Sequence, residues 1–449
     1  MPQRPRNLDP EASALAKFGA RLRARRVERG WAQAELGRLV HVSGTLIAKM
    51  ERAERRPQPD VAHSLDLALS TDGELARLAA DALRCHVVSL QLEPDLRAWQ
   101  STRGLGAGWI AGINELRRLA DQYDLPEDGV IRPLPELRAA VALLIKWRLN
   151  SDYARLIHTI PALIPELTRA LLTSSGKEHE DIAECLVQAW RAADAVAAKL
   201  GLYDLSARLI LVMGWAAAQT GGPLPMAATS YVRAETFFVS GEQQAGHLML
   251  ERAADRIEVG DSLPHAAQYG ALHMRAAIAA ARAGLRDQAD DHLTEAWSMA
   301  ERVRSEGVWE GTAFGPASVR IHQVSTAVEL NAPQQALAAA DGWLPPESVQ
   351  AERRSHFFVD LARAHLAVGE HDAVLHNLER ARDIAPQNVQ VDLYVREALS
   401  TLAHTSAANA SAVDSFVQSV SEIGAAAMKA IQTGPITGPG SGSLTGPAR

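Results

Sequence analysis

The sequence predicts an all-α fold, in which an N-terminal domain of five short helices is followed by an α-solenoid. Ala and Leu are the commonest residues, and both favour helices. From Pro133 to about Ala403, apolar residues recur at helical spacing, without the alternation that is typical of strands. The chain of 449 residues is too long for one compact core, so we expect more than one domain.

Charge is distributed unevenly along the chain. Residues 1–60 contain 13 Lys and Arg against 7 Asp and Glu, a net charge of +6, which leaves −13 for residues 61–449. A basic N-terminal segment on an otherwise acidic chain is expected when only that segment contacts phosphate groups. A basic face that is merely solvated is the alternative, and charge alone leaves it open.

The sequence does not indicate export, a membrane span or a disulfide framework. The N-terminus is polar and Arg-rich, and the longest apolar run, Leu209–Ala218, has about half the length of a membrane span. Cys85 and Cys185 are far apart and lack neighbouring ligand residues, so we expect two buried free thiols. We therefore expect a cytoplasmic protein without membrane contact.

Pro, Gly and polar residues divide the chain into segments. We predict a flexible arm over 1–12, a domain of short helices over 13–84, linker helices over 85–132, a helical repeat domain over 133–404, a terminal helix over 405–432 and a disordered tail over 433–449.

The short-helix domain contains two helices that are separated by a tight turn. The spacing predicts helices from Gln33 to Val40 and from Ser43 to Arg52, with Ser43 as a good N-cap for the second. A short helix, a turn and a second helix form the unit that places a helix in the major groove of DNA.

The run WAQAELGRLVHVSGTLIAKMERAERRPQPDVAHSLDLAL, starting at Trp31, resembles the Cro/repressor-type helix-turn-helix family, also called the XRE family. The similarity covers roughly residues 16–70. It rests on Gln33 at the start of the second helix, small Gly37 at the helix crossing, Val42 in the turn and Ile47 in the core. The resemblance implies binding to double-stranded DNA.

The resemblance also implies roles for individual residues. Residues that would face base edges are Gly44, Thr45, Ala48 and Lys49. Residues that would contact phosphate are Gln33, Ser43, Arg52, Arg55, Arg56, Arg21 and Arg25. Gly44 departs from the family pattern, because several members have a long amide side chain there. Base reading would then depend mainly on Thr45 and Lys49.

Other side chains of this domain are predicted to have structural roles. We expect Glu51 to pair with an arginine and Trp31 to pack at a helix entrance. Arg23 and Arg29 are expected to be solvated.

The long helical region contains a repeated pattern of large, small and Gly residues that resembles the tetratricopeptide repeat. The two best copies are centred on turns at Gly369 and Gly284, and weaker copies surround Asn331 and Ser240. Helical hairpins of this kind bury their apolar faces by stacking into a solenoid. An irregular helical bundle is the alternative.

With both features, the whole chain resembles transcriptional regulators that join this kind of helix-turn-helix domain to a tetratricopeptide-like sensor domain. We expect a homodimer that binds DNA in a sequence-specific way and responds to a peptide, a small molecule or a protein partner. The alternative is an interaction scaffold with weak or non-specific DNA binding. No catalytic, metal or cofactor motif is recognised in the sequence, so we do not expect an enzyme.

Overall fold

The computed structural model describes residues 14–53, 59–71, 73–79, 107–405 and 407–433. Its internal contacts divide the chain into two units, Met1–Thr102 and Arg103–Arg449. The predicted arm over 1–12 and the predicted tail beyond Thr433 lie outside the described residues.

The N-terminal unit consists of short helices around one small core. They are α1 (Ala14–Glu28), α2 (Gln33–Leu39), α3 (Gly44–Glu51) and α4 (Pro59–Leu69), and residues 74–79 are also helical. Apolar residues at helical spacing meet in the centre and are almost completely buried; they include Phe18, Leu22, Leu36, Ile47, Met50 and Leu65. The five helical segments that the sequence predicts are therefore present.

A buried carboxylate joins α4 to the last helical segment of this unit. Asp66 is 4% exposed and accepts hydrogen bonds from the backbone N–H groups of Leu75, at 2.9 Å, and Ala76, at 2.7 Å. These N–H groups lie in the first turn of a helix and have no partner within it. Asp66 thus satisfies them and fixes residues 74–79 against α4.

The C-terminal unit is a succession of helices interrupted by one small hairpin. In chain order its elements are α5 (Ala107–Asp121), α6 (Leu134–Leu149), α7 (Tyr153–Thr173), α8 (Gly176–Lys199), α9 (Tyr203–Ala217), α10 (Pro223–Ser240), α11 (Gln243–Ala254), α12 (Leu263–Arg282), α13 (Arg286–Val303), β1 (Gly307–Trp309), β2 (Thr312–Phe314), α14 (Pro316–Glu329), α15 (Pro333–Ala340), α16 (Ala351–Ala367), α17 (His371–Ile384), α18 (Pro386–Val391), α19 (Leu393–Ala403) and α20 (Ala407–Thr433).

The predicted repeats correspond to helical hairpins in this unit. Helices α12 and α13 are joined at Gly284, and α16 and α17 at Gly369; both glycines have positive φ, which a side chain would disfavour. The first helices of successive hairpins, α10, α12, α14 and α16, pack side by side. This stacking is the arrangement of an α-solenoid.

One detail differs from the sequence prediction. Strands β1 and β2 form an antiparallel hairpin with Val308 opposite Ala313, where only helices were expected. The strands have three residues each, which is too few to produce a visible alternation. In addition, α5 lies within the range 85–132 that was predicted to hold linker or transition helices, and it packs against α7 and α9 as part of the helical unit.

The early and late helices of the C-terminal unit contact each other. The amide of Gln387 donates to Asp152 at 3.3 Å and accepts from the backbone N–H of Ala154 at 2.9 Å. Helix α20 also contacts α7. The unit therefore closes on itself, and its first-helix faces surround an internal cavity. Within the described part of the chain, no helix is both long enough and apolar enough to cross a bilayer.

Candidate nucleic-acid interface

The turn between α2 and α3 is fixed by backbone hydrogen bonds at the end of α2. His41 has a φ of 57°, and the N–H of Val42 donates to the carbonyl of Gly37 at 2.8 Å. The N–H of His41 donates to the carbonyl of Arg38 at 3.4 Å. This pair of bonds is a Schellman motif, which ends a helix and reverses the chain within a few residues. The turn therefore determines the angle at which α3 leaves α2.

Gly37 allows the two helices to cross closely. A Cβ atom at this position would lie 2.6 Å from the carbonyl oxygen of Val42 and 2.9 Å from the nitrogen of Gly44. Both contacts are with backbone, which cannot move aside as a flexible side chain can. The predicted role of Gly37 at the helix crossing is confirmed.

Ser43 caps the recognition helix α3, as the sequence predicts. Its hydroxyl oxygen accepts from the backbone N–H of Leu46 at 3.1 Å. The side chain is exposed at the N-terminus of the helix. The cap bond uses the hydroxyl oxygen as an acceptor, so the hydroxyl hydrogen can still be donated to an anion outside the protein.

One face of α3 is buried and the opposite face is exposed. Ile47 and Met50 are completely buried, whereas Thr45 and Lys49 are exposed and Ala48 is half-buried. At 100° per residue, Thr45, Ala48 and Lys49 lie on one side of the helix, away from the core. They form a continuous outward surface, here called the reading face.

Gly44 does not belong to the reading face, which corrects the sequence prediction. A Cβ atom at this position would lie 2.7 Å from the Cα and 2.9 Å from the nitrogen of Ala34 on α2. The missing side chain would thus point at α2 and not outward. Gly44 is required for close helix packing, and this explains the departure from the family pattern.

Glu51 holds α1, α2 and α3 together. It is fully buried and accepts from Arg26 at 2.5 and 3.0 Å and from the amide of Gln33 at 2.7 Å. The predicted pairing of Glu51 with an arginine is confirmed. One amide hydrogen of Gln33 is used in this contact, which leaves the second available at the start of α2.

Two of the arginines predicted to contact phosphate also pair with an acidic residue. Arg21 lies 2.8 Å and Arg25 3.5 Å from the carboxylate of Glu74. On α1 they lie on the side opposite to Arg26, which faces α3. These pairings lower the pKa of the Glu74 carboxyl group, chiefly through the Arg21 hydrogen bond. Arg21 and Arg25 are therefore not on the side of α1 that faces the recognition helix.

The remaining predicted phosphate contacts follow α3. Arg52 is the exposed C-cap residue of this helix. Arg55 and Arg56 lie outside the described residues.

Two arginines that were expected to be solvated have partners in the protein. Arg29 donates to the carbonyl of Leu69 at 3.2 Å, and Arg23 lies 3.6 Å from the Glu51 carboxylate. Trp31 packs against the core, as predicted, and its carbonyl accepts from Arg26 at 2.6 Å. The contacts of Arg29 and Arg23 connect residues that are distant in sequence, so no local pattern predicts them.

The helical unit contains one group of side chains with the chemistry of metal ligands among its described residues. His247 and Glu251 are one turn apart on α11, and His292 faces them from α13. Their ligand atoms lie within 4.8 Å of one another. This group is not apparent from the sequence, because His292 is far from the other two residues along the chain.

Comparisons with known proteins identify the N-terminal unit. Residues 17–79 match a family model described as a helix-turn-helix domain. No curated protein matches the chain. Among solved structures, a similar one is the crystal structure of Bacillus thuringiensis PlcR in complex with the peptide PapR7 and DNA. The identity is 11%, the match covers 64% of this chain and 95% of that chain, and the TM-score is 0.29, which does not establish a common fold.

The matched range includes α2, the turn and α3, whose geometry has the features that place a helix in a groove. It also includes the buried core and the Glu51 contacts that fix this geometry. Residues 17–79 of this chain form a helix-turn-helix domain.

Proposed function

We propose that this protein is a sequence-specific DNA-binding transcriptional regulator and not an enzyme. The observation that carries this proposal is the exposed reading face of α3 above a rigidly fixed turn. A helix-turn-helix places such a face against the base edges of the major groove. We expect the protein to act in the cytoplasm.

Base recognition is assigned to two side chains of the reading face. Lys49 can donate to the O6 and N7 atoms of guanine, and Thr45 offers a methyl group to thymine or a hydroxyl to several bases. Ala48 is small and half-buried, so it allows close approach of the helix. With two base-reading side chains, part of the specificity would come from the shape of the DNA.

Phosphate contacts are assigned to three residues at helix ends. Gln33 starts α2 and Ser43 caps α3, so both lie where the helix dipole favours an anion. Arg52 stands at the opposite end of α3 and supplies a full charge. Such contacts set affinity and register but not sequence choice.

We further propose that the protein acts as a homodimer and that its helical unit senses an effector. One helix-turn-helix covers a short stretch of DNA, and two half-sites one helical turn apart give higher affinity and specificity. The internal cavity of the helical unit supports an effector role, because it is large enough for a small molecule.

The test is a DNA-binding titration of the full chain across a salt series, with its own upstream DNA and a random duplex of equal length. A specific regulator should bind its operator at least roughly 10³-fold more tightly than random DNA at physiological salt. Steep salt dependence without a preference for the upstream DNA over the random duplex would contradict the proposed sequence-specific regulator. It would favour an interaction scaffold that binds DNA non-specifically.

Variants of the reading face refine this test. Lys49→Ala should weaken binding to the operator by roughly 5- to 150-fold and leave random DNA much less affected. Arg52→Ala should weaken both duplexes and reduce the salt slope by about 1. Lys177→Ala, which removes an exposed lysine of the helical unit, is the control and should change neither.

A further inference from the structure

The cavity of the helical unit is bordered by the first helices of four stacked hairpins, α10, α12, α14 and α16, and by α6 and α8. Its volume is about 310 Å³. Cavities that bind small molecules start at roughly this size. Each of these helices contributes a polar side chain to the lining: Arg148 on α6, Arg191 on α8, Tyr231 on α10, Arg275 on α12, His322 on α14 and Arg353 on α16.

Two of these arginines donate to the tip of the β-hairpin. The guanidinium of Arg191 donates to the carbonyl of Glu310 at 2.6 Å, and that of Arg148 donates to the carbonyl of Gly311. Both tip residues have positive φ, as in a type I′ turn. Carbonyl groups satisfy hydrogen bonds but carry no charge. The charges of both arginines are therefore left without an anion by these contacts.

The third arginine also has uncharged partners. Arg353 donates to the hydroxyl of Tyr231 at 3.1 Å, to the carbonyl of Ala313 at 3.3 Å and to Nε2 of His322 at 3.0 Å. Nδ1 of His322 donates to the carbonyl of Ser318 at 2.9 Å, so Nε2 is the acceptor. Burial and the neighbouring Arg353 lower the pKa of His322 well below its ordinary value, which keeps the ring neutral.

Two of the carboxylates that line the cavity, Glu352 and Glu235, are paired with other cations. Glu352 lies 3.4 Å from Lys199, and Glu235 lies 2.5 Å from Arg275. Two more have uncharged partners, since Asp194 accepts from the hydroxyl of Ser206 and Asp392 caps α19. Among the residues that the structure describes, no carboxylate lies within the 4.0 Å ion-pair distance of Arg148, Arg191 or Arg353. Arg191 is 4% and Arg353 8% exposed. Buried cations without a counter-ion are costly in a folded protein, and an anion would remove that cost.

The electrostatics of the cavity agree with this geometry for Arg148 and Arg191, whose pKa values are lowered by burial. Burial also acts on Arg353, but Tyr231, Glu352 and Glu306 outweigh it and raise the pKa of that guanidinium. Burial, together with Arg148 and Arg353, lowers the pKa of Arg191 to about 9. Burial by itself would raise the pKa of Tyr231, yet Arg353, Arg275 and Arg191 lower it below its ordinary value. In addition, Nε of Arg148 is buried without a hydrogen-bond partner among the described residues. The region around Tyr231 thus favours negative charge.

We propose that this cavity binds a small organic anion, with an oxyanion group such as a carboxylate or a phosphate against Arg148, Arg191 and Arg353. Planar guanidinium groups bind such oxyanions through paired hydrogen bonds. The apolar part of the ligand would lie against Val232, Phe238 and Ile278, which also line the cavity. That this anion is the effector rests on the proposed function.

Binding is tested by thermal unfolding of the full chain at low salt with inorganic phosphate, pyrophosphate or citrate. Sodium chloride of equal ionic strength is the reference for each. We expect a saturable rise of roughly 3 °C or more with at least one of them. A rise with phosphate or pyrophosphate would indicate that the site recognises a phosphate group, and a rise with citrate that it recognises a carboxylate. No rise beyond that of sodium chloride with all three would overturn the proposal.

Variants connect the effect to the arginines. Arg191→Met should abolish the saturable rise. If this variant fails to fold, Arg148→Gln replaces it, because Arg148 is less buried, and it should also abolish the rise. The matched control is Arg138→Gln, an exposed arginine of α6 that pairs with Asp181 and should leave the rise intact. A rise that persists in both cavity variants would place the anion elsewhere and overturn the assignment.

The effector role is tested separately by repeating the DNA titration with the anion that binds. A change in Kd of threefold or more supports it, and an unchanged Kd overturns the regulatory link while the anion site stands. If the protein does not bind DNA at all, the proposed function fails without affecting the thermal result.

Discussion

The carboxylate of Glu51 on α3 forms a buried two-point ion pair with the guanidinium of Arg26 on α1, at 2.5 and 3.0 Å. Glu51 is fully buried, and the side chain of Arg26 is 13% exposed. Because Gln33 on α2 donates to the same carboxylate, one residue fixes the positions of all three helices. The orientation of the reading face therefore depends on a side chain that does not belong to it.

Glu51→Ala should unfold or strongly destabilise the helix-turn-helix domain. Removing one member of a buried pair leaves the other charge without compensation, which costs about 3–5 kcal/mol. Hydrogen exchange of residues 14–79 should rise sharply while exchange of the helical unit stays unchanged. The control is Glu28→Ala, which removes the exposed partner of Arg25 and should cost less than about 1 kcal/mol. Equal effects of the two variants would show that the Glu51 pair contributes little.

Gly44→Ala should weaken DNA binding although it adds only a methyl group. The new Cβ would meet the backbone of Ala34 at 2.7 Å, so α2 and α3 must move apart. Overpacking of this kind costs about 1–3 kcal/mol. The loss should appear in urea unfolding of the N-terminal unit and in operator affinity.

A second variant separates the backbone clash from a side-chain clash at this position. Ala34→Gly combined with Gly44→Ala should not restore stability, because the nearest atoms are the Cα and nitrogen of Ala34 and not its side chain. Full rescue by Ala34→Gly would show that the Cβ of Ala34 causes the cost.

Local sequence rules predicted much of the helix-turn-helix domain. The Ser43 cap and the small Gly37 follow from residue types next to each other in the chain, and both have the expected roles. The same rules misplaced Gly44, since its orientation depends on how α2 crosses α3. The resemblance supplied a role for that position, but the crossing geometry decides what the position can do.

Long-range contacts in the helical unit could not be predicted in this way. Arg148, Arg191 and Arg353 lie on three separate helices and meet only because the unit closes on itself. The turn glycines and small residues indicated the hairpins but not their closure. Charged residues on a helix are usually solvated, so sequence alone gives no reason to bury these three.

His41→Gly should stabilise the helix-turn-helix domain. His41 has a φ of 57° in the turn, and a residue with a Cβ is strained there by roughly 1 kcal/mol. Glycine removes this strain and keeps the backbone hydrogen bonds of the Schellman motif. Urea unfolding should detect the gain. His41→Ala retains the Cβ, so it should give no gain; an equal gain in both variants would point to the imidazole and not to the backbone.

Asp194 should make the stability of the helical unit depend on pH. It is 5% exposed and accepts from the hydroxyl of Ser206 at 2.6 Å. Burial raises the pKa of Asp194 from 3.8 to about 7, although the Ser206 hydrogen bond and Arg191 oppose the shift. Between about pH 4 and pH 7 the folded state therefore binds more protons than the unfolded state. Stability should fall as the pH rises through this window, by up to about 1.4 kcal/mol per pH unit.

Asp194→Asn should remove this dependence. Relative to the wild type, the variant should gain free energy of unfolding as the pH rises from 5 to 7 and keep the gain at pH 8. Urea unfolding at these pH values measures the difference, and Asp204→Asn on the exposed side of α9 is the control. A difference that does not change with pH would show that Asp194 is charged throughout. Since Asp194 lines the cavity beside Arg191, the same substitution should also strengthen anion binding above pH 7.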